Sequence, residues 1–173
     1  MLVPGQMVDD IKIIGLAGSG GMALVYMGIN LNTHKNVAIK ILREEHSNDT
    51  EIIDLFLTEA DLSLLIQHPN LMKAHRIGQY KNTYYLVMDF WQGFDLAQIL
   101  RFADEHYFRF SVEDSVMIIS EVLDGLDYFH SLVGKDFKPL RLVHRDVTPQ
   151  NILISYEGDI VLEERFLIER RGS

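Results

Sequence analysis

Three short runs rich in β-forming residues, IKIIGL at residues 11–16, ALVYMGI at 23–29 and NVAIKIL at 36–42, follow one another with only glycine-rich or asparagine-rich breaks between them. Apolar runs this short, bounded by strong turn formers, predict an antiparallel three-strand meander. The period then changes. Between residues 50 and 67 the apolar residues Ile53, Phe56, Leu57, Ala60 and Leu64 recur at helical spacing, which marks one face of an amphipathic helix. Pro69 closes that helix, because the residue before a proline is pushed out of helical geometry. Two further runs, LMKAHRIG at 71–78 and TYYLVMDF at 83–90, bring the expectation to five strands and one helix by residue 90.

After that point helices dominate. WQGFD at residues 91–95 reads as a linker, followed by a short helix over 95–105. A stronger helix opens at Ser111, whose hydroxyl can form a capping box with the Asp114 carboxylate. Its Val112, Val116, Ile119, Leu123, Leu126 and Phe129 are expected to face the core. A loop at 134–141, with Lys135, Lys138 and Pro139, leads into VHRDVTPQNILI at 143–154. The fold class expected is α+β: a five-stranded antiparallel sheet with one helix in residues 1–90, and a partial helical part in 91–173.

Composition narrows the function classes. The 173 residues, 47% hydrophobic, suffice for one sizeable core, and the formal charge of −9 argues against a broad nucleic-acid or anionic-membrane surface. Phosphate binding, if any, must be local. The absence of cysteine removes disulfides, thiolate catalysis and Cys-based zinc sites. MLVPGQMVDD lacks the basic-then-apolar pattern of a targeting segment, and no run approaches the ~18 apolar residues of a membrane helix. A cytoplasmic protein with no membrane segment and no nucleic-acid partner is expected. The histidines show no HExxH or similar ligand spacing, which disfavours a metal held mainly by imidazole.

Several residues carry chemistry of their own. GSGGMALV at 18–25 places Gly18, Ser19, Gly20 and Gly21 between the first two strands, where backbone N–H groups can approach an anion closely. An ordinary flexible turn reads the same way. Lys40 ends the apolar VAIK at 37–40; it is either a solvated edge charge or an ammonium set beneath the glycine loop to neutralise phosphate oxygens. Glu59 lies in the amphipathic helix, either on its solvated face or, if that helix packs on the sheet, paired with Lys40.

Taken in order, the glycine loop, VAIK, the helix glutamate, HPN at 68–70, YYLVMDF and HRDVTPQN resemble the protein-kinase catalytic domain, in the form found in bacterial kinases of the eukaryotic serine/threonine type. The resemblance runs to about Leu162. It implies a protein-kinase-like fold, with residues 1–90 as the ATP lobe and 91–173 as the hinge and a shortened helical lobe. It implies ATP and magnesium as cofactors and a protein hydroxyl as acceptor. Asp146 would then orient or accept the proton of that hydroxyl, and Asn151 would hold magnesium on the phosphates. His144 and Arg145 would brace the loop. Val25, Ala38 and Leu153 correspond to positions that sandwich adenine in relatives, although core packing explains them too. Met88 would stand at the back of the nucleotide cleft with residues 89–91 as hinge. Asp95 matches a ribose-contacting position and equally suits a helix cap.

The pattern is broken in three places. Ala23 replaces the third loop glycine, and Thr148 stands where many relatives carry lysine. After GDIVL the family's Asp-Phe-Gly is expected, but Glu164, Arg165 and Phe166 occupy the aligned positions within the ending EERFLIERRGS. A glutamate one methylene longer reaches the metal only with a shifted backbone, and Arg165 would replace a packed ring. The ending is read as a truncated or frame-shifted kinase with little or no turnover, the alternative being a short pseudokinase-like module that binds a nucleotide or partner without catalysis. Loss of the remaining helices would leave an exposed apolar patch on the helix that opens at Ser111.

Overall fold

All five strands expected from the apolar runs form, and a sixth short one joins them at the start of the chain. The computed structural model describes residues 1–134 and 137–163, arranged as two units: Met1–Leu65 with Lys73–Phe90, and Ile66–Met72 with the described residues from Trp91 onward. In the first unit β1 (Met7–Val8), β2 (Ile11–Ser19), β3 (Ala23–Asn30), β4 (Asn36–Leu42), β5 (Ala74–Tyr80) and β6 (Thr83–Asp89) make one antiparallel sheet in the order β1-β2-β3-β4-β6-β5. β1 is only two residues long, too short for any periodicity to announce it, and it turns back onto Ile11 and Lys12 through Asp9 at φ 50°.

Alternation along β4 builds two cores. Ile39 and Ile41 face one side with Ile11, Ile13, Tyr26 and Val87. Leu42 faces the other with Ala23, Leu86 and the helix residues Phe56 and Ala60. Each such fully buried side chain contributes on the order of 1.5–3 kcal/mol. Both sides of the strand are therefore covered.

Helix α1 (Thr50–Ser63) starts at Asp49, whose carboxylate accepts from the Glu51 and Ile52 amides at 3.1 and 3.2 Å. It buries the face expected of it: Phe56 and Ala60 are buried, with Ile53, Leu57 and Leu64 packed alongside. It ends four residues earlier than residue 67, because the Leu65 amide bonds back to Leu62 and tightens the last turn. β5 likewise begins at Ala74 rather than 71, since Leu71 and the Met72 amide pair with Leu162 instead.

The second unit departs further from expectation. Residues 91–95 are not a plain linker: β7 (Gly93–Asp95) pairs with β8 (Ile152–Ser155), which pairs with β9 (Ile160–Leu162). Between them run α2 (Leu96–Glu105) and α3 (Val112–His130), each opened by a full capping box, Asp95 with Gln98 and Ser111 with Asp114.

The face that α3 buries is not the one periodicity selected. Ile118, Val122, Gly125 and Phe129 are buried, while Val112 (75% exposed), Val116, Ile119 and Leu123 lie open. Only Phe129 belongs to both sets. α3 packs against β9, and Gly125 lets it approach closely: a Cβ there would lie 3.1 Å from the Asn70 carbonyl. Among the described residues no helix is long and apolar enough to cross a membrane.

Candidate active site

Gly18 and Ser19 end β2, paired with Val25 and Leu24 of β3, and Gly20 and Gly21 open the turn between the two strands, which closes with the Gly20 amide on the Ala23 carbonyl at 2.9 Å. None of the three glycines has a positive φ, and a Cβ built on Gly18, Gly20 or Gly21 meets nothing closer than 3.5 Å. Elsewhere glycine is imposed by packing: a Cβ would come within 2.2 Å of the Tyr85 ring at Gly78 and 1.9 Å of the Ile154 carbonyl at Gly93. In the loop the fold itself has room for side chains. What their absence provides is exposed bare backbone, open to close approach by an anion.

Lys40 and Glu59 are paired. Lys40 Nζ lies 2.5 Å from Glu59 Oε1, with the two side chains 16% and 5% exposed. Alternation sends Lys40 to the α1 side of β4, and Glu59 stands one residue before Ala60 on the buried face of α1. This removes the solvated readings of both residues. Two charges taken so far from water hold together because each is the other's partner. Register pairs Lys40 with Val25 and Leu86, and Ala38 with Met88, so Val25, Ala38, Lys40 and Met88 share one face of the sheet.

The second unit holds the Asp146 loop. His144 is 1% exposed; its Nδ1 accepts from the Asp146 amide at 3.3 Å, which leaves the proton on Nε2 to donate to the Glu163 carbonyl at 3.0 Å. Burial holds the ring's pKa below the ordinary histidine value, outweighing the Glu163 bond and the Asp146 charge. A neutral ring is what this geometry needs. Arg145 follows at φ 62°, a left-handed turn that redirects the chain before Asp146.

Pro149 then opens a single 3-10 turn, Pro149–Asn151, that carries Asn151 back under Asp146. Asn151 Nδ2 donates to the Asp146 carbonyl at 2.7 Å and to its carboxylate Oδ2 at 2.8 Å. The Asn151 backbone carbonyl accepts from the Glu163 amide at 2.7 Å. With its amide nitrogen committed, Asn151 Oδ1 is buried and has no hydrogen-bond partner among the described residues. Leaving such an oxygen bare costs about 1–3 kcal/mol. An amide oxygen beside a carboxylate is the donor set a hard divalent cation takes, so these residues fit magnesium. Among the described residues no group of three or more His, Cys, Asp or Glu side chains could hold a metal, so a cation here would draw its remaining ligands from its own phosphates or water.

Asp95 and Leu153 are paired in register between β7 and β8. Asp95 Oδ1 accepts from the Gln98 amide at 2.8 Å, and Gln98 Oε1 accepts from the Asp95 amide at 3.0 Å, so the capping reading of this residue is observed. Glu164, Arg165 and Phe166 lie outside the described residues.

Two residues of consequence escaped the sequence reading. Asn70 enters the sequence analysis only as the last residue of HPN, with no role of its own, yet it is buried, donating to Glu121 and to the Ile160 carbonyl at 3.0 Å and accepting from the Leu162 amide at 2.8 Å. It ties α3 to the β8–β9 hairpin. Arg43, three residues after Lys40, bonds to the glycine loop. An asparagine before an apolar run, or an arginine ending a strand, is too common to single out.

Comparison with known proteins agrees with this geometry. The family model described as protein kinase domain matches residues 11–163. The chain is 29% identical over 160 residues to the serine/threonine-protein kinase PrkC of Bacillus subtilis, covering 92% of this chain and 23% of that protein. It is 30% identical over 146 residues to the tyrosine-protein kinase MasK of Myxococcus xanthus, covering 82% of this chain and 22% of that protein. The chain thus spans less than a quarter of the length of these relatives. The kinase domain of Mycobacterium tuberculosis PknI shares the fold at a TM-score of 0.74 and 24% identity, covering 95% of this chain and 62% of that one. With its family match covering all but the first ten and last ten residues, the chain belongs to the protein kinase domain family.

Proposed function

We propose that this chain supplies the ATP-handling and catalytic-loop residues of a cytoplasmic serine/threonine protein kinase, which transfers the γ-phosphate of ATP to a protein hydroxyl. The observation that carries the reading is the Asp146–Asn151 pair, a carboxylate beside an amide whose buried oxygen has no hydrogen-bond partner among the described residues. Phosphoryl transfer needs little covalent help from protein, so placement and charge neutralisation supply most of the rate.

Each residue then has a role. Lys40, held by Glu59, neutralises phosphate oxygens, and the bare backbone of Gly18, Ser19, Gly20 and Gly21 covers them. Val25, Ala38 and Leu153 hold the positions that contact adenine in the family pattern, and Met88 the position behind it. Asp95 divides its carboxylate between the α2 cap and the ribose. Asn151 holds magnesium through Oδ1, and Asp146 orients the acceptor hydroxyl and takes up its proton. A bound magnesium ion neutralises charge on the phosphates.

A second reading, a nucleotide- or partner-binding module without transfer, is favoured by Glu164, Arg165 and Phe166 standing where the family carries Asp-Phe-Gly. Purified chain incubated with labelled ATP, magnesium and proteins bearing serine, threonine and tyrosine decides between them. Transfer that Asp146→Asn abolishes supports the kinase. A melting temperature raised by a magnesium–ATP analogue, with no transfer to any acceptor, supports the module. Neither response overturns both.

A further inference from the structure

We propose that Arg43 is a positioning residue for the glycine loop, fixing its backbone in the conformation that receives phosphate; the inference rests on the nucleotide reading above. Arg43 directly follows β4, whose Lys40 is the phosphate-neutralising group in that reading. Its Nε donates to the Gly20 carbonyl at 3.0 Å and its Nη2 to Ser19 Oγ at 2.8 Å. Its own amide donates to the Met22 carbonyl at 3.0 Å. One residue thus contacts three of the four positions from 19 to 22.

The consequence follows from peptide geometry. In a planar trans peptide the carbonyl and the following N–H point in opposite directions. Holding the Gly20 carbonyl toward Arg43 therefore aims the Gly21 N–H away from it, and holding the Met22 carbonyl does the same for Ala23. The loop glycines are not constrained by packing, and glycine loses more freedom on ordering than any other residue. Without an external hold, the loop would have to be ordered by the nucleotide itself, at the expense of affinity. A guanidinium suits the task because its rigid fork reaches two acceptors at once, which an ammonium on a flexible stem does not.

Amide hydrogen exchange on the full chain without nucleotide, together with binding of a non-hydrolysable magnesium–ATP analogue, tests this. In Arg43→Gln, exchange over residues 18–23 is expected to rise about ten-fold while that of β4 and β6 stays unchanged, and analogue affinity to fall about three- to ten-fold. Arg43→Lys, which keeps the stem and the charge, is expected to fall between that variant and the parent on both measures. Loop exchange equal in all three proteins overturns the proposal, as does faster loop exchange with unchanged affinity. Should Arg43→Gln raise exchange throughout the sheet, Arg43→Lys decides by the same criteria. If the parent chain binds no analogue, the nucleotide purpose of the contact falls, and loop exchange separates that failure from failure of the contact itself.

Discussion

Asn151 spends both of its side-chain donor bonds on Asp146, at 2.7 Å to the carbonyl and 2.8 Å to the carboxylate, and its own Oδ1 is a buried acceptor with no donor among the described residues. A structural asparagine would be expected to satisfy both ends. Replacement by alanine removes the pin and the bare oxygen together, so losses of about 1 kcal/mol per bond are largely offset. Asn151→Ala is expected to unfold in urea within about 1 kcal/mol of the parent when no ligand is present. The response to ligand differs. A magnesium–ATP analogue at a hundred-fold its dissociation constant stabilises the parent by about 2.7 kcal/mol, and in Asn151→Ala that gain is expected to disappear. An unchanged gain would remove Asn151 from the cation site.

The Lys40–Glu59 pair makes a prediction that holds whether or not the chain turns over ATP. Lys40→Met leaves a carboxylate that is 5% exposed without its partner, and breaking such a pair costs about 3–5 kcal/mol. Lys40→Met with Glu59→Leu is expected to recover most of that loss, because it removes the stranded carboxylate with its partner. Urea midpoints for the single and double variants at pH 7 check this, and a double variant as unstable as the single one refutes it.

Which parts were legible from sequence follows from the range of the forces involved. The meander is written in local alternation, so β4 came out with the bounds that its residues imply, and the cap residues Ser111 and Asp114 act within one turn. β1 and β7 were missed because two or three residues carry no period, and their pairing is decided by partners far along the chain. α3 failed for a different reason. Its apolar residues spread wider than one contact stripe, so periodicity does not single out the buried one, and Gly125 packed against Asn70 marks it. In the site, residue types and order were readable, including the Lys40–Glu59 pairing. The bare Oδ1 of Asn151 and the loop contacts of Arg43 depend on distances that no residue pattern encodes.

His144 gives the fold an acid limit. Its ring is buried neutral, with a pKa held below the ordinary 6.5 by burial. Above pH 6.5 folded and unfolded states carry the same charge at this ring, and below it the unfolded chain takes up a proton that the folded ring resists. Stability is expected to fall as pH drops from 6.5 toward the lowered value. His144→Gln, which keeps a donor and an acceptor but does not titrate, should flatten that segment of the profile. Urea titrations from pH 5 to 7.5 measure it, and parallel profiles would contradict the assignment.

Tyr85 sets the alkaline limit. Burial first, then the bond it donates to Asp9, pushes the phenol up to about 12 from 10, partly offset by Arg76 at 3.0 Å. The folded state keeps its proton where the unfolded chain gives it up, so stability present below pH 10 is lost as pH rises toward 12. A shift of that size is worth at most about 2–3 kcal/mol. Tyr85→Phe is expected to be less stable than the parent at pH 8 and to lose less on going to pH 11, as thermal unfolding at both values would show.

The two faces of α3 separate packing from exposure most cleanly. Ile118 and Val122 are buried, whereas Ile119 and Leu123, each one position on and so about 100° around the helix, are 59% and 57% exposed. Periodicity alone assigned the burden the other way round. Ile118→Ala is expected to cost about 2–4 kcal/mol, through lost transfer energy and the cavity left behind. Ile119→Glu and Leu123→Glu place charge in water on a helix interior and should each cost within about 0.5 kcal/mol, while improving solubility by breaking an apolar surface. If either glutamate variant destabilises the chain as much as Ile118→Ala, that face is covered in solution, and the burial assigned to α3 is wrong.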